Sequence, residues 1–403
     1  MGKFNKGGYL GGFDQLRAPN APTIDVTAGD SQLAIAITAP SYSTGTISSY
    51  CATAIAGGVS TGAESTSSPV TITGLTNGTT YTVSGIVKSE FGSSPSSATT
   101  TASPAIPLNT RAIFAGGIAT GVTALSSIDF IDVASSGNAS NFGNLIATRR
   151  FLAVGGNTIR TVMMCGNAGN HAKTNDMVFV VLASTGNATD FGDATTTMSD
   201  SEAASSSTRV LNAGGADSSG DREEIDVINT ASAGNATDFG NLSATRRRQG
   251  GLSSPTRGLF GGGVYNGSRS NTIDFVIMAS NGNATDFGDL TVARDEGLAG
   301  VSTATRGVFG GGNASNVMDF ITIASAGNAT DFGNLIVARQ GPGAASSTVR
   351  GVFAGGSSSG GGPYRASIDL ITIASAGDAT DFGDLTSNRW QNGGESGAHG
   401  GLQ

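Results

Sequence analysis

The sequence predicts an all-β chain. An N-terminal arm spans residues 1–19, a small β-sandwich spans 20–105, and a six-bladed β-propeller closed by the C-terminal strand spans 106–403. Three observations carry this reading. A phrase of the type GNATDFGDL recurs six times, beginning at Gly137, Gly186, Gly234, Gly282, Gly327 and Gly377, at intervals of 45 to 50 residues. Short β-branched and aromatic runs alternate with turns rich in Gly, Ser, Thr and Asn. The chain holds 62 glycines and is only 13% charged, yet its hydrophobic fraction is 38% and regularly spaced, which argues against a disordered low-complexity chain.

Charge and cysteine usage narrow the function classes. A net charge of −8 disfavours nucleic-acid binding, which relies on a basic stripe to displace counterions. No apolar run approaches the roughly 20 residues of a membrane span, so no membrane insertion is expected. The N-terminus lacks the apolar stretch of a secretory signal, and Lys6 breaks the myristoylation pattern after Met-Gly. Cys51 and Cys165 fall in different domains, which excludes a disulfide framework.

The arm has too few apolar residues for a core. It carries Lys3, Lys6 and Arg17 against one acid, Asp14, with Phe4, Tyr9, Leu10, Phe13 and Leu16 spread along it. Two readings stand: a loose terminus, or an anchor whose aromatics peg into a partner's groove while its basic residues meet an acidic surface.

In the sandwich, Leu33, Ile35 and Ile37 alternate as in a half-buried strand, and ISSYCATAIAGG supplies another. Leu75, the turn TNGTT, Tyr81, Val83 and the loop SEFGSSPSS together resemble a fibronectin type III domain. The resemblance implies that the Tyr81 hydroxyl makes a tyrosine corner. One departure is that Ile37 stands where such domains place a core Trp.

Beyond residue 106 three further phrases run in step with the first. Strand b reads RAIFAGG, RTVMMCG, RVLNAGG, RGLFGGG, RGVFGGG and RGVFAGG, beginning at Arg111, Arg160, Arg209, Arg257, Arg306 and Arg350. Strand c has the form IDFIDVAS, and strand d ends in runs such as LTVAR. Four short strands per unit are a propeller blade. The order resembles kelch repeats, although the kelch Tyr and Trp positions are not matched and Phe residues such as Phe287 and Phe309 take over their packing. The repeat region opens on a strand b, so GGESGAHGGLQ at the C-terminus is expected to complete the first blade beside RAIFAGG.

The repeated phrase reads as a turn between strands c and d, its Asn and Asp bonding amides two residues on and its Phe packing between blades. Asn138, Asn187, Asn235, Asn283 and Asn328 also form glycosylation sequons, and the Asp residues, such as Asp286 and Asp289, raise the alternative of calcium turns. Strand-b Arg and strand-c Asp form a second repeated set: Arg111 with Asp129, Arg209 with Asp226, Arg257 with Asp274, Arg306 with Asp319 and Arg350 with Asp369. In the second blade Val178 replaces the acid beside Arg160. Repetition argues that these pairs stitch the sheets rather than catalyse.

No catalytic residues are assigned. The chain has two histidines, His171 and His399, and lacks nucleophile-elbow, zincin and P-loop motifs. Some kelch-type propellers are copper oxidases, but Cys165, His171, His399, Tyr265 and Tyr364 follow no ligand spacing, so no metal and no cofactor is expected. A propeller-type glycan-processing enzyme would need clustered carboxylates, and no unique acid pair stands out.

The b–c connections differ in length and chemistry while the others barely change. A constant face and a varied face place recognition on the varied one, through His171, Lys173, Arg222, Tyr265, Arg269, Tyr364 and Arg365. Arm, spacer and near-identical blades together resemble virion structural proteins of tailed bacteriophages. That resemblance implies a non-catalytic particle-surface protein, held to other virion proteins by its arm and contacting a host-surface glycan or protein. Tail-associated adhesion and head decoration are the two roles it suggests; a glycan-processing enzyme and an intracellular kelch adaptor are the readings from other classes.

Overall fold

The computed structural model describes residues 17–104 and 109–402, apart from short stretches at 30, 41–44, 77–78, 122–123, 170 and 360–361. Lys3, Phe4, Lys6, Tyr9, Leu10 and Phe13 of the arm lie outside the described residues, while Arg17 is exposed. The chain is all-β and divides into two compact units, Met1–Pro107 and Leu108–Gln403.

The first unit packs two sheets around one core. Thr23–Gly29, Gln32–Thr38 and Val70–Thr73 form one sheet; Ile47–Ala56, Val59–Ser65 and Tyr81–Ser89, with two short edge strands, form the other. Alternation decides which side chains face inward. Leu33, Ile35 and Ile37 are buried, as are Val83 and Val87 of the facing sheet. Ile37 reaches towards Gly85, where an added methyl would meet it at 3.1 Å, so a short aliphatic side chain suffices at that point. The Tyr81 hydroxyl accepts a 3.0 Å hydrogen bond from the Thr76 amide, which pins the turn before its strand.

The second unit contains six four-stranded antiparallel sheets and one two-stranded hairpin, Val264–Tyr265 with Ser268–Arg269, and none closes into a barrel. Sheet 5 shows the plan: strand a is Ala299–Ser302, b is Arg306–Gly310, c is Ser315–Thr322 and d is Thr330–Arg339. Sheet 2 runs from Ala153–Gly156 through Arg160–Met164 and Thr174–Val181 to Thr189–Met198. Sheet 3 runs from Glu202–Ser205 to Thr237–Asn241, sheet 4 from Gly250–Ser253 to Thr285–Asp289, and sheet 6 from Gly343–Ser346 to Thr380–Arg389. Sheet 1 joins the two ends of the unit, because its strand a is the C-terminal Gly393–Gly397, paired antiparallel with Asn109–Ala115.

Strand a of each sheet neighbours those of the sheets before and after it, and the sixth neighbours the first. No single core exists. Six apolar clusters lie instead at the six seams between successive sheets, including the one between sheets 6 and 1. The phrase Phe enters each seam; Phe142, Phe191, Phe287 and Phe332 meet a strand-c Phe edge-on at 5.8 to 6.2 Å.

The repeated phrase bonds outward and not only within its own turn. The Asn138, Asn187, Asn235, Asn283 and Asn328 side-chain oxygens, with Asp378 in the sixth repeat, each accept an amide of the neighbouring sheet at 2.8 to 3.1 Å. The expectation of bonds two residues on holds at Asp286, which accepts the Gly288 amide. Each phrase also touches the next one. A methyl on Gly383, whose φ is 146°, would lie 2.5 Å from the Gly137 carbonyl oxygen, and the same approach recurs between Gly333 and Gly377. Only glycine fits there, which is why the second glycine of the phrase returns in every unit.

The expected pairing of strand-b Arg with strand-c Asp is overturned. Arg111, Arg209, Arg257, Arg306 and Arg350 reach across a seam to main-chain carbonyls of Leu182, Met278, Ile323, Ala374 and Val133. Several also lie over a strand-c Phe, at 4.6 to 4.8 Å for Arg111, Arg257 and Arg306. The carboxylates Asp129, Asp274, Asp319 and Asp369 instead pair with Arg389, Arg246, Arg294 and Arg339, from the end of strand d or just beyond it in the preceding sheet. These pairs are buried on both sides, and each Arg also donates to carbonyls that the turn leaves bare. A buried carboxylate needs both a counter-charge and hydrogen bonds, and the seam supplies both.

Two seams depart from the rule. Between sheets 1 and 2, Val178 stands at the acid position, and Arg149 finds Asp176 two residues earlier on the same strand face. Between sheets 2 and 3, Met198 replaces the Arg; Asp226 is held only by the Thr195 amide at 3.0 Å and hydroxyl at 2.7 Å. Burial pushes the Asp226 carboxyl above its usual range.

Candidate functional site

Because the strands of each sheet are antiparallel, the b–c loop and the d–a connection leave at one face of the six-sheet unit, and the a–b and c–d connections leave at the other. Bridges tie the two sets together: Arg150 with Asn167, Ser199 with Ala216, Arg247 with Val264 and Gln340 with Ser357. The varied loops and the starts of the inner strands therefore share one face.

The seven loop residues are partly tied down. Lys173 donates to the Asp217 carbonyl at 2.6 Å, and Arg222 pairs with the Asp217 carboxylate at 3.1 Å and with Glu224, so two loops meet at Asp217. Arg269, on the same hairpin as Tyr265, bonds Asp295 at 3.1 Å, and Tyr265 itself is 44% exposed. His171 is exposed in a left-handed backbone conformation and contacts the Arg150 guanidinium. Tyr364 stacks on Trp390 with centroids 5.7 Å apart, and Arg365 begins strand c of sheet 6. The seven do not converge on one point. The residues weighed for copper are likewise apart: Cys165 is fully buried, and burial pushes its thiol up to about 12, while His399 lies on the axis.

Convergence occurs where the d–a connections meet. Phe151, Asp200, Arg248, Glu296, Gly341 and Gln391 occupy the same place in the six repeats and share a left-handed φ of 54° to 62°. The shared conformation lets main-chain bonds run around the opening: the Phe151 amide donates to Gln391, Asp200 to Phe151, Arg248 to Asp200 and Gln391 to Gly341. The conformation repeats while the chemistry does not. Arg248 bridges Asp200 at 2.7 Å and Glu296 at 2.5 Å, with its guanidinium 5.0 Å from the Phe151 ring centroid. Phe151 in turn meets Trp390 edge-on at 6.5 Å.

Beneath this opening lies a cavity of about 60 Å3, lined by the inner strands. Those strands read GGES, AVGG, EAAS, GGLS, AGVS and GAAS, so small side chains leave the space and two acids, Glu202 and Glu395, border it. Burial pushes both carboxyls up to about 8, and in Glu395 the neighbouring Glu202 adds to burial against the Ser396 amide. Asn392 stands at the rim of the same cavity, but its amide turns into the seam between sheets 6 and 1, beside Gly343 and Gly355. The other end is floored by the C-terminal segment. There the His399 Nε2 bonds the Gly156 carbonyl at 2.9 Å and its Nδ1 accepts the Gly401 amide at 3.1 Å, which fixes a neutral ring. Burial lowers the His399 pKa to about 4.

The expectation that no unique acid pair exists is thus corrected: Glu202 and Glu395 lie 193 positions apart in sequence and border one cavity. Comparing loop lengths between repeats passed over them. Comparing the inner strands position by position isolates them, because they are the only acids in six strands of Gly, Ala, Ser, Val and Leu. The cavity is far smaller than the roughly 300–1,000 Å3 of small-molecule pockets, so it admits a few waters or an ion but no sugar ring.

Among the described residues no helix is long and apolar enough to cross a membrane. No protein-family model matches the chain, and no characterised protein matches its sequence significantly.

Proposed function

We propose that this chain is a non-catalytic binding protein in which a fibronectin type III-like sandwich carries a diverged kelch-like six-bladed propeller. Its setting in this reading is the surface of a tailed-phage particle, where the propeller contacts a host-surface glycan or protein. The observation that supports it best is the segregation of variety. Six b–c loops of unlike chemistry share a face with six unlike d–a residues, while the opposite face repeats and is floored on the axis by the C-terminal segment. A scaffold with one such face binds through it. The Tyr81-to-Thr76 bond supports the sandwich assignment, and the pairing of Gly393–Gly397 with Asn109–Ala115 supports the closed propeller. In this reading the arm seats the chain on other virion proteins.

The glycan-processing alternative loses ground on size, because Glu202 and Glu395 border a cavity too small for a sugar, and Asp200 and Glu296 at the opening are both engaged by Arg248. Immunogold electron microscopy of phage particles carrying this chain tests the setting. Label at the tail supports adhesion, label over the head shell moves the role to decoration, and unlabelled particles sink the virion reading. For recognition, Tyr265→Ala with Arg269→Ala is expected to weaken binding of the purified chain to host cells at least tenfold at unchanged Tm; undiminished binding removes this hairpin from the contact surface.

A further inference from the structure

The charges of the varied face are unevenly satisfied. Over sheets 3 to 5 they close on one another: Arg222 on Asp217 and Glu224, Arg247 on Asp221, Arg248 on Asp200 and Glu296, and Arg269 on Asp295. Where sheets 6, 1 and 2 meet, one cation is left over. Among the described residues the Arg150 guanidinium pairs with no carboxylate and no carbonyl; its Nε is buried without a partner, and its Nη2 contacts the His171 Nδ1. Asp200 acts on Arg150 electrostatically, but its oxygens already hold the Arg248 Nε at 2.7 Å and the Ser199 hydroxyl at 2.6 Å.

Three aromatic rings adjoin this cation. The Arg150 guanidinium carbon lies 5.6 Å from the Phe151 ring centroid. Phe151 meets Trp390 edge-on, and Tyr364 stacks on Trp390, so two d–a connections and one b–c loop build a continuous aromatic shelf. Phe151 and Tyr364 are half-buried, and Trp390, which joins them, is buried. Tyr364 also stands within electrostatic reach of Arg150. His171 and Tyr364, from the loops of sheets 2 and 6, therefore gather around residues that a comparison of b–c loops passes over.

A guanidinium fork recognises carboxylate or phosphate, and here it has no competing counter-charge. Flat apolar rings beside it cover the C–H face of a ligand ring and keep water from the charge pair. The cavity lined by Phe151, Arg248 and Gln391 holds only about 50 Å3, so a ligand lies across the shelf as one unit of a surface polymer instead of entering a pocket.

We propose that this shelf is a binding site for an anionic sugar unit of a host-surface glycan. Arg150 holds the acid, Tyr364 and Phe151 take the C–H face of the sugar, and the Nε2–H of His171, whose Nδ1 faces the guanidinium, donates to a neighbouring oxygen. The inference rests on the reading of the varied face as glycan-binding and names what that face takes.

The test titrates the whole chain with an oligogalacturonate, its carboxyl-reduced neutral form, a sugar phosphate and a glutamate-rich peptide. Trp390 is the sole tryptophan and stacks on Tyr364, so its fluorescence reads occupancy of the shelf directly. Expected is binding of an acidic sugar about tenfold or more tighter than of the neutral form. Preference for the oligogalacturonate makes the acid a carboxylate, and preference for the sugar phosphate makes it a phosphate. Arg150→Gln should lose that preference at unchanged Tm, and Tyr364→Ala should weaken binding while keeping it. An unchanged preference in Arg150→Gln overturns the site, and binding of the peptide as tight as that of the sugar overturns the ligand class in favour of a protein partner. A chain that binds host cells but shows no acid preference overturns this inference alone. One that binds neither cells nor oligosaccharides takes the glycan-binding reading down with it.

Discussion

The seams between sheets and the axis they surround are built by opposite rules. At a seam the same residues return: a strand-d Arg on a strand-c Asp, a phrase Asn on a neighbouring amide, and two glycines in contact. Every buried charge there has a partner, save at one seam. On the axis the backbone conformation repeats and the side chains do not, from Phe151 and Asp200 to Arg248 and Gln391. The difference teaches how to read a repeat protein: what recurs holds the sheets together, and what departs from the recurrence is released from that duty.

Four substitutions and one pH profile would break or sharpen this contrast. The largest effect is expected from Arg294→Met, which copies the natural seam between sheets 2 and 3 and strands Asp319 in the interior. Urea denaturation should show a loss of about 3–5 kcal/mol, and a loss below about 1 kcal/mol would mean that the buried pairs hold nothing. Next, Gly333→Ala sets a methyl 2.5 Å from the Gly377 carbonyl oxygen at a φ of 134° and should cost about 2–3 kcal/mol by the same assay.

His399 gives a pH signature on the axis. Its folded pKa of about 4 lies below the ordinary 6.5, so the unfolded chain takes up the proton first. The stability from keeping the ring neutral is complete above pH 6.5 and fades as pH falls towards 4, by about 3 kcal/mol. His399→Asn should flatten that acid limb in melting curves, and an unchanged limb would locate the sensitivity elsewhere. Removing a strand-b guanidinium is milder: Arg257→Ala loses one carbonyl bond at 2.7 Å and the contact with Phe275, for about 1 kcal/mol. Smallest is Asp226→Asn. Without an Arg to abandon, it should shift the denaturation midpoint little and in the stabilising direction, whereas a loss comparable to that of Arg294→Met would show that the seams are alike after all.

Much of the fold was legible because period and alternation are sequence properties. The recurring phrase marks six units, and Leu33, Ile35 and Ile37 mark an inward face. Partnership was not legible. Asp319 stands 13 residues from Arg306 and 25 from Arg294, and proximity in the chain favoured the wrong one, because neighbouring strands bring near residues side by side without aiming their side chains together. Asn283 likewise bonds Asn241 across a seam, which no local turn pattern announces. On the axis the difficulty was different again. Glu202 and Glu395 are ordinary residues in ordinary strands, and only the ring order of the sheets makes them neighbours.

The strand that completes sheet 1 also sets a clock for the newly made chain. Asn109–Ala115 emerges from the ribosome early, but its inner partner begins at Gly393. At about 5–20 residues per second, that edge waits roughly 15–55 s with its hydrogen-bonding groups open. Sheets 2 to 6 acquire all their strands in order of synthesis, and the first is the last to be finished. During that interval an early sheet stands ready to accept the equivalent strand of another molecule. Crowded synthesis on one messenger therefore favours exchanged rings, a hazard that the near-identity of the repeats makes worse.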